Sequence, residues 1–149
     1  MTIRQPLKFI PVLALALLAQ IAYAQATPVG LWKTIDDDTH QAKSLVRIND
    51  QGGVLNGRVE KLLDPAKQDA KCDKCADARK DQPVAGMTIL SNAKQSGSDA
   101  ALWEGGEILD PNNGKTYRVR LKPMEGGKSL EVRGYIGPFY RNQTWQRVE

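Results

Sequence analysis

The chain has 149 residues, 41% hydrophobic and 26% charged, with a formal charge of +4, two cysteines and one histidine. That length suits one ordinary domain with its own core. No nucleic-acid-binding motif and no interleaving of basic and aromatic residues are present, so nucleic acid is excluded as an expected partner.

The first residues, MTIRQPLKFIPVLALALLAQIAYAQ, place Arg4 and Lys8 before an apolar run from Phe9 to Ile21, then Ala22-Tyr23-Ala24. This pattern predicts a secretory signal peptide over 1–24, cleaved near Ala24, and a periplasmic or secreted protein. A membrane anchor would need about 20 apolar residues, and this run is shorter and broken by Pro11 and Gln20. The remainder, 25–149, reads as a single domain with no transmembrane segment. Its charge is uneven: residues 25–111 carry 11 basic and 14 acidic side chains, residues 112–149 carry 8 and 3.

Along that domain the dominant pattern is alternation with period two, the mark of half-buried strands. VLNGRVEKL sets Leu55, Gly57 and Val59 against Asn56, Arg58 and Glu60. KTYRVRLK sets Tyr117, Val119 and Leu121 against Thr116, Arg118, Arg120 and Lys122. SLEVRGYIG sets Leu130, Val132, Gly134 and Ile136 against Glu131, Arg133 and Tyr135. DDDTH (36–40), NDQGG (49–53), DPNNG (110–114) and PMEGG (123–127) supply tight turns between them. Strands joined by short turns predict an all-β antiparallel meander of about eight strands, and closure into a barrel is the natural way to hide its edges. A short helix is expected around Met87 to Ala93 or in the long connection Asp64 to Pro83.

That connection carries KCDKCAD, with Cys72 and Cys75 two residues apart. A c-type haem anchor needs His after the second cysteine, and Ala76 stands there. A structural zinc needs four ligands, and only His40 and carboxylates remain to complete the set. A thioredoxin-like dithiol favours a βαβ setting that is not visible. In an oxidising compartment a Cys72–Cys75 disulfide is the expected state. Such a clip contributes about 2 kcal/mol by the chain-entropy relation for so short a loop. A redox switch is the alternative, on the ground that an exposed, strained disulfide is easier to reduce.

Catalytic constellations are not found. There is no Gly-x-Ser-x-Gly elbow, Asp36, Asp37, Asp38 and His40 lack Ca²⁺-loop spacing, and Glu104, Glu107 and Asp110 read as surface charge at a bend. The sequence therefore predicts neither an enzyme nor a bound metal or cofactor.

GLWKTID, WEGGEILDPNNGKTYRVRL and LEVRGYIG…QTWQRV together resemble the exported bacterial family known as domain of unknown function 2147, over nearly all of residues 29 to 148. CDKC and DQPVAGMTIL are similar to members with a cysteine pair. The resemblance implies a lipocalin-like, or calycin-like, small barrel and no established reaction. Where the family typically has Phe-Gly before its final Gln-Thr-Trp, this chain has PFYRNQTW, with Tyr140 in the glycine's place. Gly30-Leu31-Trp32 resembles the lipocalin Gly-x-Trp, which implies that Trp32 closes one barrel end under an arginine, Arg147 or Arg141.

Small eight-stranded barrels either fill their interior or keep room for one ligand. Trp103, Tyr117, Tyr135, Phe139 and Trp145 are the aromatics expected near a mouth or wall. The expected function is non-catalytic binding of a small apolar or amphipathic molecule. The rivals are an envelope interaction or stress module, acting through Arg118, Arg120 and Arg133 or through the clipped loop, and thirdly a thiol redox sensor.

Overall fold

The structure, a computed structural model, describes residues 26–149; the expected signal peptide and its cleavage point near Ala24 lie outside them. Eight strands run in order: β1 (Gly30–Ile35), β2 (Ala42–Gln51), β3 (Val54–Leu62), β4 (Thr88–Gln95), β5 (Trp103–Asp110), β6 (Lys115–Met124), β7 (Ser129–Ile136) and β8 (Phe139–Arg147). Each pairs antiparallel with the next, and β8 returns to β1, closing a barrel. Among the described residues the regular elements other than strands are two three-residue 3₁₀ turns, Pro65–Lys67 and Glu125–Gly127. Among the described residues no helix is long and apolar enough to cross a membrane.

Alternation fixes the inner face. Val46 and Ile48 of β2, Leu55 and Val59 of β3, Val119 and Leu121 of β6 and Leu130 and Val132 of β7 are all buried, as period-two side chains on a one-sided sheet should be. Of the two places expected for a short helix, the long connection carries the Pro65–Lys67 3₁₀ turn, whereas the stretch after Met87 is β4. Met87, Leu90 and Ala93 are buried at a helix-like spacing of three because pairing with β3 slips between Leu55 and Arg58, and Asn92 takes a positive φ of 61°. A bulge thus mimics helical periodicity. β5 repeats the effect: Trp103, Gly106 and Leu109 face inward across a register shift between Glu104 and Gly106.

Trp32 is fully buried and closes one end. Its indole Nε1 donates to the Pro28 carbonyl at 2.7 Å, and the Arg147 guanidinium lies 4.2 Å from its ring centroid. Arg147 also donates to the carbonyls of Val29 (2.8 Å), Thr27 (2.6 Å) and Gly127. The chain entering β1, the β6–β7 turn and β8 are tied by this one side chain, whose pKa burial draws below the ordinary guanidinium value. Gly30 permits the approach: its φ is 139°, and a Cβ there would sit 2.5 Å from Arg147 Nη1. Arg141, the other arginine considered for this place, lies on the cavity wall at the far end.

Candidate functional site

At the end away from Trp32 the barrel is hollow. A cavity of about 600 Å³ runs down from the turns β1–β2, β5–β6 and the long β3–β4 connection. Its apolar wall comes from inward positions of five strands: Val59, Ile89, Leu109, Val132 and Trp145 among them. Buried within it is one polar spot, where Thr34 Oγ1 and Ser44 Oγ meet at 2.7 Å. Gln143 adds an amide, accepting from Trp145 Nε1 at 3.3 Å. The cavity therefore combines an apolar inner wall with polar and charged groups that make up much of the rest of its lining, and small-molecule sites likewise pair apolar walls with placed polar groups.

The rim is charged. Lys43, Lys67, Lys71 and Lys74 line it together with Asp36, Asp64, Asp73 and Asp110. Three of these carboxylates are already engaged by the backbone. Asp36 accepts N–H bonds from Asp38 and Thr39, and the Thr39 N–H and hydroxyl hold its pKa below the ordinary value. Asp64 caps the first 3₁₀ turn through Ala66 N–H, and Asp110 accepts from Asn112 N–H.

The long connection forms one side of this rim. Cys72 and Cys75 are joined by a disulfide with Cα atoms 5.4 Å apart. Both are buried, at 0% and 3% exposure, so the exposure on which the redox-switch reading rested is not there, and neither sulfur is free to ligate a metal. The clip seats the loop on the β5–β6 turn. Cys72 Sγ faces the Pro111 carbonyl at 3.7 Å, and Gly114, at φ 70°, passes so close to Lys74 that a Cβ would strike its carbonyl. Replacing both cysteines by alanine is expected to lower the urea midpoint by the equivalent of about 2 kcal/mol, with the barrel's circular dichroism retained; an unchanged midpoint would contradict the clip's role.

Closure between β1 and β8 is incomplete on the cavity side. Their strand pairing is confined to Trp32↔Arg147 and Lys33↔Gln146. Toward the mouth the backbones part, and side chains bridge the gap: Gln143 Nε2 donates to Asp37 Oδ2 at 2.8 Å, and Arg141 lies 3.7 Å from the same carboxylate. On the cavity side this seam is thus held by exposed side chains rather than by strand pairing. Exposed pairs of this kind contribute about 0.2–1 kcal/mol, so Asp37→Ala is expected to speed ligand entry and exit by up to roughly fivefold with little change in affinity, read by stopped-flow fluorescence.

The five aromatics distribute unevenly. Tyr117 and Trp145 line the cavity, and Tyr117 Oη accepts from Asn113 Nδ2 at 2.9 Å. Trp103 is buried on the inner face but does not line the cavity; it pairs with Gln95 and Leu121 near the β4–β5 connection. Tyr135 falls on the outward parity of β7, beside Arg118 and Tyr140. Phe139 is 77% exposed at the β7–β8 turn, where alternation no longer has an interior to point into. The polar cavity residues Thr34, Ser44 and Gln143 carry no motif that marks them in the sequence. The alternation of β2 signals Ser44 as inward with Val46 and Ile48, but nothing local marks its partner on β1.

The chain matches the family described as "Uncharacterized protein conserved in bacteria (DUF2147)" over residues 30–147. It belongs to that family. No curated protein matches the chain. Among solved structures, this DUF2147 protein is similar to one described as "Protein HP1028 from the human pathogen Helicobacter pylori belongs to the lipocalin family". The TM-score is 0.70 at 21% identity, covering 83% of this chain and 84% of that one. At that identity the likeness establishes a lipocalin-like fold and nothing finer. The turn where the sequence departs from its family is regular here: Gly137-Pro138 makes the reversal, and Tyr140 is an ordinary strand residue paired with Tyr135.

Proposed function

We propose that this protein is an exported, non-catalytic carrier that holds one small apolar or amphipathic molecule inside its barrel. The observation that carries the reading is the cavity of about 600 Å³, within the 300–1,000 Å³ range of small-molecule pockets, closed at one end by Trp32 and Arg147. A purely structural barrel would fill that space, because interiors close-pack and voids forfeit contact energy. The apolar wall suits a hydrocarbon or ring body. The Thr34–Ser44 hydroxyls, the Gln143 amide and the rim lysines suit a polar end.

Export is part of the proposal and rests on the leader sequence and on the disulfide, which an oxidising compartment favours. Equilibrium titration of lipid-stripped protein with an environment-sensitive fluorescent amphiphile tests the binding reading. Saturable, one-to-one binding is expected; strictly linear, non-saturating signal would count against it.

The rival reading through Arg118, Arg120 and Arg133 finds those side chains partly committed. Arg120 and Arg133 lie 3.8 and 3.6 Å from Glu131, and Arg133 stacks on Tyr140 at 4.4 Å.

A further inference from the structure

We infer that the β7–β8 hairpin tip is a docking element for an anionic lipid surface, a role separate from cavity occupancy. The exposed large hydrophobics among the described residues are Met124, Ile136, Phe139, Tyr140 and Val148. Three of these fall within five consecutive residues at one turn: Ile136 at 47%, Phe139 at 77% and Tyr140 at 58% exposure. Met124 and Val148 lie at the opposite end, near the Trp32 plug.

The tip projects. Gly134 and Arg141 are paired and line the cavity, and two further pairs, Tyr135↔Tyr140 and Ile136↔Phe139, continue beyond them. At strand rise this carries the turn about 7 Å past that wall position. It is built to lose water cheaply. The two strands satisfy each other's backbone, and Pro138 brings no N–H, so little unpaired polar backbone would enter an apolar layer.

Its surroundings fit a lipid surface better than a protein. A stable protein interface buries about 800 Å² on each side, whereas this is a narrow convex turn. The tip stands instead among cations and amphipathic rings. Arg118 lies 5.9 Å from the Tyr135 ring and Arg133 4.4 Å from the Tyr140 ring, with Arg141 next to Tyr140 on the strand. Of the basic side chains of β6–β8, Arg118, Arg133 and Arg141 stand on the tip's half of the barrel, Arg141 also lying 3.3 Å from Asp110 and 3.7 Å from Asp37. Tyrosine rings settle at the headgroup level, and arginines beside them attract anionic headgroups. Ile136 and Phe139 would reach the acyl boundary, with the cavity mouth held close to the surface.

Co-sedimentation of the soluble protein from its own cells with phosphatidylglycerol–phosphatidylcholine vesicles tests this, against Ile136→Ser/Phe139→Ser. The wild type is expected to bind, more weakly to pure phosphatidylcholine, and the double variant to lose at least about tenfold in partitioning. The amphiphile titration should be unchanged in that variant, which separates this result from the fate of the cavity reading. Phe139→Trp adds a second readout, a blue shift of its emission on anionic vesicles. Equal sedimentation of wild type and double variant, absence of vesicle binding by the wild type, no emission shift, or a protein partner that depends on the tip while vesicles do not, would each overturn the inference.

Discussion

Trp32→Ala is expected to be the most destabilising single change in the barrel. Truncating a fully buried tryptophan costs about 3–5 kcal/mol in lost contacts and cavity formation. Here it also strands the Pro28 carbonyl, which accepts the indole N–H, and removes the ring over which Arg147 lies. Against a total stability of about 5–15 kcal/mol, a fall in Tm of roughly 10–20 °C follows for a domain this size. Trp32→Phe keeps a ring under the guanidinium and loses chiefly the hydrogen bond, so it should cost about 1–2 kcal/mol. Arg147→Lys should fall between them, since an ammonium cannot span the three carbonyls that the planar guanidinium bonds. Thermal unfolding of the three variants checks the order. If Trp32→Ala melts within a few degrees of wild type, the plug is not what holds this end shut.

Val132→Trp is expected to abolish binding while sparing the fold. Val132 is buried on β7 and lines the cavity, paired with Leu121 and Gln143 on the neighbouring strands. In a close-packed core an indole there would cost about 1–3 kcal/mol by overpacking. In a hollow one it has room, and filling a void commonly stabilises. The expected pair of results is a Tm equal to or above wild type and an amphiphile affinity at least about tenfold weaker, equivalent to 1.4 kcal/mol or more. A sharp loss of stability with binding intact would mean that the space is not where the ligand sits.

The parts of this architecture legible in the sequence are those governed by period two. Val119 and Leu121, or Leu130 and Val132, announce an inner face because nothing interrupts their strands, and the turn residues between them mark the reversals. β4 and β5 were harder, since bulges at Asn92 and Gly105 convert an alternating pattern to a spacing of three and imitate a helix. Tyr135, expected near the mouth or wall, lies instead on the outer face that its alternation with Arg133 indicates. The cavity itself was not legible. Thr34, Ser44, Val132 and Gln143 are far apart in the chain and become one wall only through the registers of β1 with β2 and β7 with β8. Nor could the open β1–β8 seam be anticipated, because it depends on where two strands distant in sequence stop pairing.

The most direct test of a ligand-holding barrel is native mass spectrometry of the protein purified gently from the bacterium that makes it. The account predicts a discrete added mass of amphiphile size, lost on denaturation and absent from Val132→Trp prepared in parallel. A wild-type spectrum showing the bare chain alone, together with no saturable uptake from a panel of single-chain amphiphiles, would contradict it.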